Sequence, residues 1–240
     1  MAGKKLPPIH DVVRFLRPTV DEIVYELVRH WTMPYPGWNY VPVQQRAPLV
    51  MAGAISRAWV LRSCDNIRLE TARKSCAEVL GLVFEEYNKR RVQVHGIPGR
   101  FVRLTPRLLL PVNLTCQFVE GRVAKLFWVQ PRKSFGLTEQ QFGFLAAVIK
   151  EAYDEYEGVV VELFDTSAPF ESETRAPKVW TSDKLHLPEV AEIEYALTLF
   201  ASAYRKALEL DIKRPKRPTK KKPDGTGDLF DKKEDDDKKK

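Results

Sequence analysis

The chain has 240 residues, of which 44% are hydrophobic and 30% are charged, the composition of a soluble globular protein with a sizeable core. Its net charge is +7, but residues 211–240 hold 12 basic against 8 acidic side chains, an excess of +4, which leaves +3 for the first 210 residues, so the charge alone does not predict a nucleic-acid surface on the folded part. No apolar run reaches the roughly 20 residues that cross a bilayer, and the N-terminus lacks the apolar segment of a signal peptide.

The N-terminal segment, residues 1–62, is expected to form helices that pack on the rest of the chain. Thr19 and Glu22 have the spacing of a capping box, in which each side chain bonds the backbone amide of the other residue. They predict a helix whose apolar residues recur at spacings of three and four. These apolar residues are Val20, Ile23, Val24, Leu27 and Trp31.

Prolines and aromatic residues crowd positions 32–48, and so many prolines argue against a regular helix. We expect a loop held on the body by its aromatic side chains. The alternative is an exposed stacking surface for bases or for the prolines of a partner. Pro48 then suits the first turn of a further helix. The apolar face expected for that helix is Met51, Ala54, Ile55, Ala58 and Trp59.

The middle of the chain predicts a helix followed by two β-hairpins. Residues 66–89 show the strongest helical periodicity in the sequence. The first hairpin joins Arg91–His95 to Phe101–Leu104, which alternate apolar and polar residues. The second joins Arg107–Phe118 to Val123–Gln130, two runs rich in β-branched and aromatic residues. A Glu-Gly pair between them suits the turn.

A second capping box, over residues 138–141, starts an amphipathic helix that runs to about residue 157. An apolar strand over 159–164 follows and is expected to be buried on both faces. After a polar loop, Pro188 predicts the start of a last helix. Residues 211–240 are almost devoid of apolar side chains, so their composition predicts disorder.

Together these elements predict an α/β fold with a central mixed sheet, packed by helices. The sheet is expected to contain a meander of about four to five strands plus one crossover strand, and the N-terminal helices are expected to cover it. The domain organisation predicted is a helical segment over 1–62, packed on a core over 63–210, and a charged tail over 211–240.

The order of a helix, three meandering strands, a crossover helix and a further strand resembles the core of the PD-(D/E)xK nuclease-like fold, over about 100 of the 240 residues. In that family the second core strand supplies an aspartate and the third an acid-x-Lys pair. The carboxylates hold Mg²⁺, and the lysine helps to position or activate the attacking water. The resemblance places the lysine at Lys125, but Asn113 stands at the aspartate position and Val123 at the acid position. Glu120 is the nearest acid, at the hairpin turn.

The resemblance therefore implies a nuclease-like site that has lost its metal, because neutral residues stand where two carboxylates belong. No cofactor is expected on this interpretation. Mg²⁺ is expected only under the alternative of an active nuclease, in which Lys125, Asn113 and Glu120 form the site or the helix 66–89 supplies the missing acids. The candidates on that helix are Glu70, Glu78 and Glu85.

Other patterns that carry chemistry are few. The four histidines lack metal-ligand spacing, and the three cysteines lack Cys-x-x-Cys spacing, which predicts reduced, buried thiols in a cytoplasmic protein. Glu162 and Asp165 lie at the end of the last strand, where sites often form. The favoured interpretation there is a solvated acid followed by an Asx-type turn.

Basic residues are the candidates for contact with the phosphates of nucleic acid. Some precede the crossover helix, whose N-terminus favours anions. Others lie on the first hairpin or next to it, and the rest lie in the tail. The set is Arg91, Arg100, Arg103, Arg107, Arg132, Lys133, Lys213, Arg214, Lys216 and Arg217. Leu229 and Phe230 form an apolar island in the tail that resembles the end of bacterial sliding-clamp-binding peptides.

These patterns favour a non-catalytic binding or assembly protein with a decayed nuclease-like core. Its expected partners are nucleic acid, another protein, or both, and no membrane. Two alternatives stay open. One is an active metal-dependent nuclease whose carboxylates come from elsewhere in the chain, and the other is a scaffold that binds protein only.

Overall fold

A computed structural model describes residues 6–33, 40–134 and 136–212. The described residues form seven helices: α1 (Ile9–Phe15), α2 (Val20–Thr32), α3 (Val41–Met51), α4 (Arg57–Arg62), α5 (Glu70–Tyr87), α6 (Glu139–Ala152) and α7 (Val190–Glu209). They also form seven strands: β1 (Val92–His95), β2 (Arg100–Thr105), β3 (Leu108–Val112), β4 (Cys116–Glu120), β5 (Val123–Gln130), β6 (Val160–Asp165) and β7 (Lys178–Thr181). None of the helices described is long and apolar enough to cross a membrane.

Five strands form a mixed sheet in the order β1-β4-β5-β6-β7, and β2 and β3 form a separate two-stranded sheet. Within the large sheet, β1, β4 and β5 are antiparallel neighbours, whereas β5 and β6 are parallel and are connected through α6. Parallel neighbours need such a crossover connection. The predicted α/β fold, with a mixed sheet, a meander and one crossover strand, is confirmed.

Side chains alternate between the two faces of the sheet, and each face has its own apolar core. On one face, α5 covers an aromatic cluster of Phe118, Phe127 and Phe164. On the other, α6 and α7 pack over apolar side chains of β5 and β6, together with α1, α2 and the two-stranded sheet. Both faces of β6 are thus covered, as its apolar sequence predicted.

The N-terminal helices pack around the sheet, as predicted, and divide between its two faces. Residues of α1 and α2 belong to the core under α6 and α7, whereas residues of α3 and α4 belong to the core under α5. Trp31 is buried in the first of these cores, but Trp59 remains 42% exposed. The capping boxes at Thr19 and Thr138 are both present.

The predicted strand pairing of the first hairpin was wrong. β1 pairs with β4, and β2 pairs with β3 in the other sheet. The predicted strand over residues 107–118 is broken at residues 113–115, so that its two halves lie in different sheets. The turn between β4 and β5 does form, with Gly121 in the left-handed region at φ 65°, a conformation that glycine adopts without steric cost.

Two further predictions from proline and polarity were wrong. Pro48 does not begin a helix but lies inside α3, which starts at Val41 and ends at Met51, and α4 is a separate helix. Residues 41–48 are therefore helical rather than a loop, while residues 34–39 of the aromatic segment lie outside the described residues. The polar segment after β6 contains β7, which pairs with β6 at the edge of the sheet. The three cysteines are free and buried, as predicted.

Candidate functional site

Charged side chains from four elements meet on the α5 face of the large sheet, where β4 ends and β5 begins. Lys125 and Glu162 point to the same face as Phe127 and Phe164, because they are two residues away along their strands. Arg90 follows the end of α5, and Glu120 is the last residue of β4. Arg90, Glu120, Lys125 and Glu162, with the Tyr87 hydroxyl, are called the ion-pair cluster below.

Hydrogen bonds occupy both carboxylates of the cluster. Glu162, whose side chain is 1% exposed, accepts from Tyr87 Oη at 2.6 Å, Arg90 Nη1 at 2.9 Å and Lys125 Nζ at 2.8 Å. Glu120 accepts from Arg90 Nε and Nη2, each at 2.7 Å, and from Lys125 Nζ at 2.8 Å. Two cations therefore share two anions, and the cluster carries no net charge.

The cluster lies directly on the aromatic core. The Tyr87 ring packs edge-on against Phe118, Phe127 and Phe164, with centroid distances between 5.2 and 6.1 Å. The Arg90 guanidinium lies 4.6 Å from the centroid of the Tyr87 ring, a distance at which a cation is attracted to the π face. These contacts hold the Tyr87 and Arg90 side chains in place as donors to the two carboxylates.

The pairing controls the protonation states. Hydrogen bonds from Arg90 lower the pKa of Glu120 to about 2. Burial acts to raise this pKa, but its effect is smaller. Burial acts to raise the pKa of Glu162, but the bonds from Arg90, Lys125 and Tyr87 keep it below its usual value. Burial acts to lower the pKa of Lys125, yet its bonds to Glu120 and Glu162 raise it. Both acids are thus ionised and the lysine is protonated at neutral pH.

This arrangement is poorly suited to acid–base or metal chemistry. A protonated lysine cannot accept a proton, and burial together with Glu162 raises the pKa of Tyr87, so its phenol stays neutral. Carboxylate oxygens that already accept from arginine and lysine are not open to a cation without breaking those bonds. Across the described ranges, no three His, Cys, Asp or Glu side chains are grouped so that they could hold a metal ion.

Of the nuclease-like candidates, the structure brings Lys125 and Glu120 together but leaves Asn113 apart. Asn113 is exposed in the connection between β3 and β4. The three candidate acids of α5 are engaged elsewhere: Glu78 with Arg175, and the exposed acids Glu70 and Glu85 with Lys74 and Arg57. A fourth acid of α5, Glu86, lies 3.7 Å from Arg90 of the cluster.

Sequence reasoning missed Arg90 and misjudged Glu162. Glu162 is buried rather than solvated, and its donors lie 37, 72 and 75 residues away in the sequence, so no local pattern could identify them. Asp165 does form the predicted Asx-type turn, since its carboxylate accepts from Ser167 N at 2.9 Å. Glu162 and Asp165 are three positions apart on β6 and face opposite sides of the sheet, so they are not paired carboxylates.

The structure separates the basic candidates into different regions. Arg91 precedes β1 of the large sheet, whereas Arg100 and Arg103 lie on β2, and Arg107 lies in the turn before β3. Arg100 is paired with Glu155, and Arg103 and Arg107 are exposed.

Arg132 and Lys133 lie between β5 and α6, where Arg132 is paired with Asp11 and Lys133 is half-buried. The remaining candidates belong to the tail, outside the described residues: Lys213, Arg214, Lys216, Arg217, Leu229 and Phe230.

Comparison of the chain with models of protein families, with characterised proteins and with solved structures gives no match.

Proposed function

We propose that this chain is a non-catalytic nucleic-acid-binding protein built on a nuclease-like core. The observation that carries the proposal is the ion-pair cluster. Arg90 takes up the two carboxylates that lie beside Lys125, and those carboxylates would otherwise be the natural ligands for a catalytic metal. Arg90 is thus a second protein cation beside Lys125, and it neutralises the carboxylate charge that a metal ion would otherwise balance.

The order of elements supports the nuclease-like part of the proposal. Around the cluster, α5 is followed by the antiparallel strands β1, β4 and β5, then by α6 and the parallel strand β6. This is the helix, three-strand meander, crossover helix and strand order of the resemblance. The two-stranded sheet is an insertion between the first and second strands of the meander.

The exposed face of that insertion supports the binding part of the proposal. Phe101 is 64% exposed, and Arg103 and Leu109, which are register partners, lie on the same outer face two residues along. Val102 and Leu110 on the other face are buried in the core. An exposed aromatic ring beside arginines is suited to stack on an unpaired base while the guanidiniums bind phosphates. The face of Phe101, Arg103 and Leu109, with Arg107 at the turn, is called the hairpin face.

Binding of a short single-stranded oligonucleotide, measured by fluorescence anisotropy, tests the hairpin face. Phe101→Ala is expected to weaken binding by about tenfold, within the range for loss of one stacked base. Arg103→Gln is expected to weaken it and to reduce its salt dependence, because one phosphate contact is lost. Phe170→Ala is the matched control, since Phe170 is 94% exposed but lies on the loop after β6. Equal affinities for Phe101→Ala and the native chain would contradict this surface.

A cleavage assay with Mg²⁺ or Mn²⁺ on DNA and RNA tests the non-catalytic part. We expect no products from the native chain or from Lys125→Ala. Metal-dependent cleavage that Lys125→Ala abolishes, in a variant shown to be folded by circular dichroism, would establish the active nuclease instead. If no oligonucleotide binds and a protein partner docks with little salt dependence, the scaffold alternative replaces the proposal.

A further inference from the structure

A second cationic site lies beyond the other end of β5 and is independent of the ion-pair cluster. A cavity of about 300 Å³ opens between α1, α2 and the segment that leads into α6. Lys125 and Arg132 are seven positions apart, about 23 Å along an extended chain, so the two sites do not overlap. Four arginines line this cavity, which is called the arginine pocket: Arg14, Arg17, Arg29 and Arg132.

Arg14 is the residue that points to a ligand. Its side chain is only 10% exposed, and its Nε and Nη2 atoms are buried with no hydrogen-bond partner. The remaining nitrogen, Nη1, lies 3.5 Å from Asp11 Oδ1, at the limit of a hydrogen bond. Leaving buried donors of a charged group unsatisfied is costly. A buried guanidinium with two open donors is therefore matched to an acceptor that enters the pocket.

The acids near the pocket are already engaged by its other arginines. Asp11 is paired with Arg132 at 2.7 Å, and Glu26 is paired with Arg17 at 2.8 Å. Arg29 lies 3.9 Å from Glu26, on a side chain that is half exposed. Four arginines outnumber the acids that act on them, which are Asp11, Glu26 and, through its charge on Arg14, Asp165. Burial and the nearby Arg132 lower the pKa of Arg14 to about 10, so it remains protonated at neutral pH.

We propose that the arginine pocket binds the phosphate of a phosphate monoester. The planar guanidinium fork matches phosphate oxygens and bonds them in pairs, and a negatively charged monoester complements the positive excess of the pocket. The cavity has the volume of a small-molecule site rather than of a groove that follows a strand. Two sources share this chemistry, a free nucleotide and the phosphorylated end of a nucleic acid.

The first experiment follows the thermal stability of the full chain as inorganic phosphate is added, because a ligand of the folded state raises the melting temperature. We expect phosphate to raise it for the native chain. Arg14→Met is expected to melt no lower than the native chain without phosphate, since it removes unsatisfied buried donors, and to lose the phosphate response. Arg62→Gln, an exposed arginine of α4, is the control that keeps the response.

A second variant guards against misfolding of Arg14→Met. Arg29→Gln changes a half-exposed residue at the pocket rim and is expected to weaken phosphate binding at least threefold in calorimetry, with an unchanged melting temperature. Phosphate that leaves the native chain unaffected would overturn the proposal. So would a response that both Arg14→Met and Arg29→Gln retain in full.

The source is decided by comparing AMP, a 5′-phosphorylated hexanucleotide and the same hexanucleotide with a 5′-hydroxyl group. Binding of AMP alone assigns a free nucleotide, and a preference for the phosphorylated hexanucleotide that Arg14→Met removes assigns a nucleic-acid end. Equal binding of both hexanucleotides, with no binding of AMP, would overturn the pocket. Phe101→Ala separates this site from the hairpin face, because it is expected to leave the phosphate response unchanged.

Discussion

At the scale of single residues, the most consequential side chain is Glu162, a buried carboxylate that three donors hold in place. Its burial is tolerated because each donor replaces a water molecule that the carboxylate would bind in solution. Lys125 and Arg90 depend on it in return. Removing the charge leaves Lys125 and Arg90 with only Glu120 and the more exposed Glu86, which lies 3.7 Å from Arg90 Nη1.

We therefore expect Glu162→Gln to lower the free energy of unfolding by about 3 kcal/mol, the magnitude found when one partner of a buried ion pair is removed. Urea denaturation at neutral pH measures the change. Glu155→Gln is the control: Glu155 pairs with Arg100 at the surface, with both side chains about two-fifths exposed, and should change the stability by less than about 1 kcal/mol. Equal effects of the two substitutions would mean that the cluster does not stabilise the fold.

At the scale of elements, two helical glycines have opposite surroundings. A Cβ on Gly143 of α6 would collide with the backbone carbonyl oxygen of His186, in the segment that leads into α7. A Cβ on Gly81 of α5 would meet nothing within 4 Å. The first glycine allows a close approach of two segments, whereas the second has no such role.

Replacing each glycine by alanine should therefore change stability in opposite directions. Gly143→Ala is expected to cost about 2 kcal/mol, because backbone must move to relieve the clash. Gly81→Ala is expected to add about 0.5–1 kcal/mol, because alanine loses less conformational entropy in a helix. Thermal unfolding of the two variants gives the comparison. A destabilised Gly81→Ala would show that α5 packs more tightly than the structure indicates.

Helix ends with a local chemical cause could be predicted from the sequence, while strand partners could not. The capping boxes at Thr19 and Thr138 involve residues three apart, so their geometry follows from the chain itself. β1 pairs with β4, where His95 lies opposite Gln117. The turn residues 96–99 instead predicted that the strand before them pairs with the strand after them. Pro48 gave a wrong helix boundary, because a proline inside α3 was interpreted as the start of a helix.

The candidate site divides in the same way. Lys125 and Glu120 lie five residues apart across one tight turn, and the sequence placed both near the site. Arg90 and Glu162 come from a helix end and a distant strand, and only the folded sheet brings them to Lys125. Arg132, a basic candidate from the sequence, lines the arginine pocket, but Arg14 comes from an N-terminal helix that no pattern linked to Arg132.

At the scale of the whole molecule, folding shifts the pKa of several carboxyl groups and of two histidines, so that stability depends on pH. The pKa of Glu120 is about 2 in the folded chain against 4.5 ordinarily, and those of Glu162 and Asp11 are also lowered. Burial lowers the pKa of His10 from 6.5 to about 4 and also lowers the pKa of His30. Each of these groups binds protons more readily in the unfolded chain. Asp165 acts in the opposite sense, because burial raises its pKa.

We expect the free energy of unfolding to be greatest near neutral pH. It should fall below about pH 6.5, where His10 becomes protonated in the unfolded chain. It should fall more steeply from pH 4.5 toward 2, where the carboxyl groups of lowered pKa become protonated in the unfolded chain. Urea midpoints at pH 7, 5 and 3 measure this trend. Glu120→Gln should flatten the acidic part of the profile. Unchanged stability between pH 5 and pH 3 would contradict the ionised state of the cluster.

The two-stranded sheet leaves and rejoins the large sheet at a single pair of neighbours, His95 and Gln117. The two ends of this insertion lie side by side. The inserted segment can therefore be exchanged, by evolution or by design, without changing the connections of the surrounding strands. The exchanged piece must bring apolar side chains that pack on the core, as Val102, Leu110 and Val112 do here, and a carbonyl that accepts from Tyr153, as Pro98 O does. The outer face of this insertion can therefore change while the scaffold beneath stays the same.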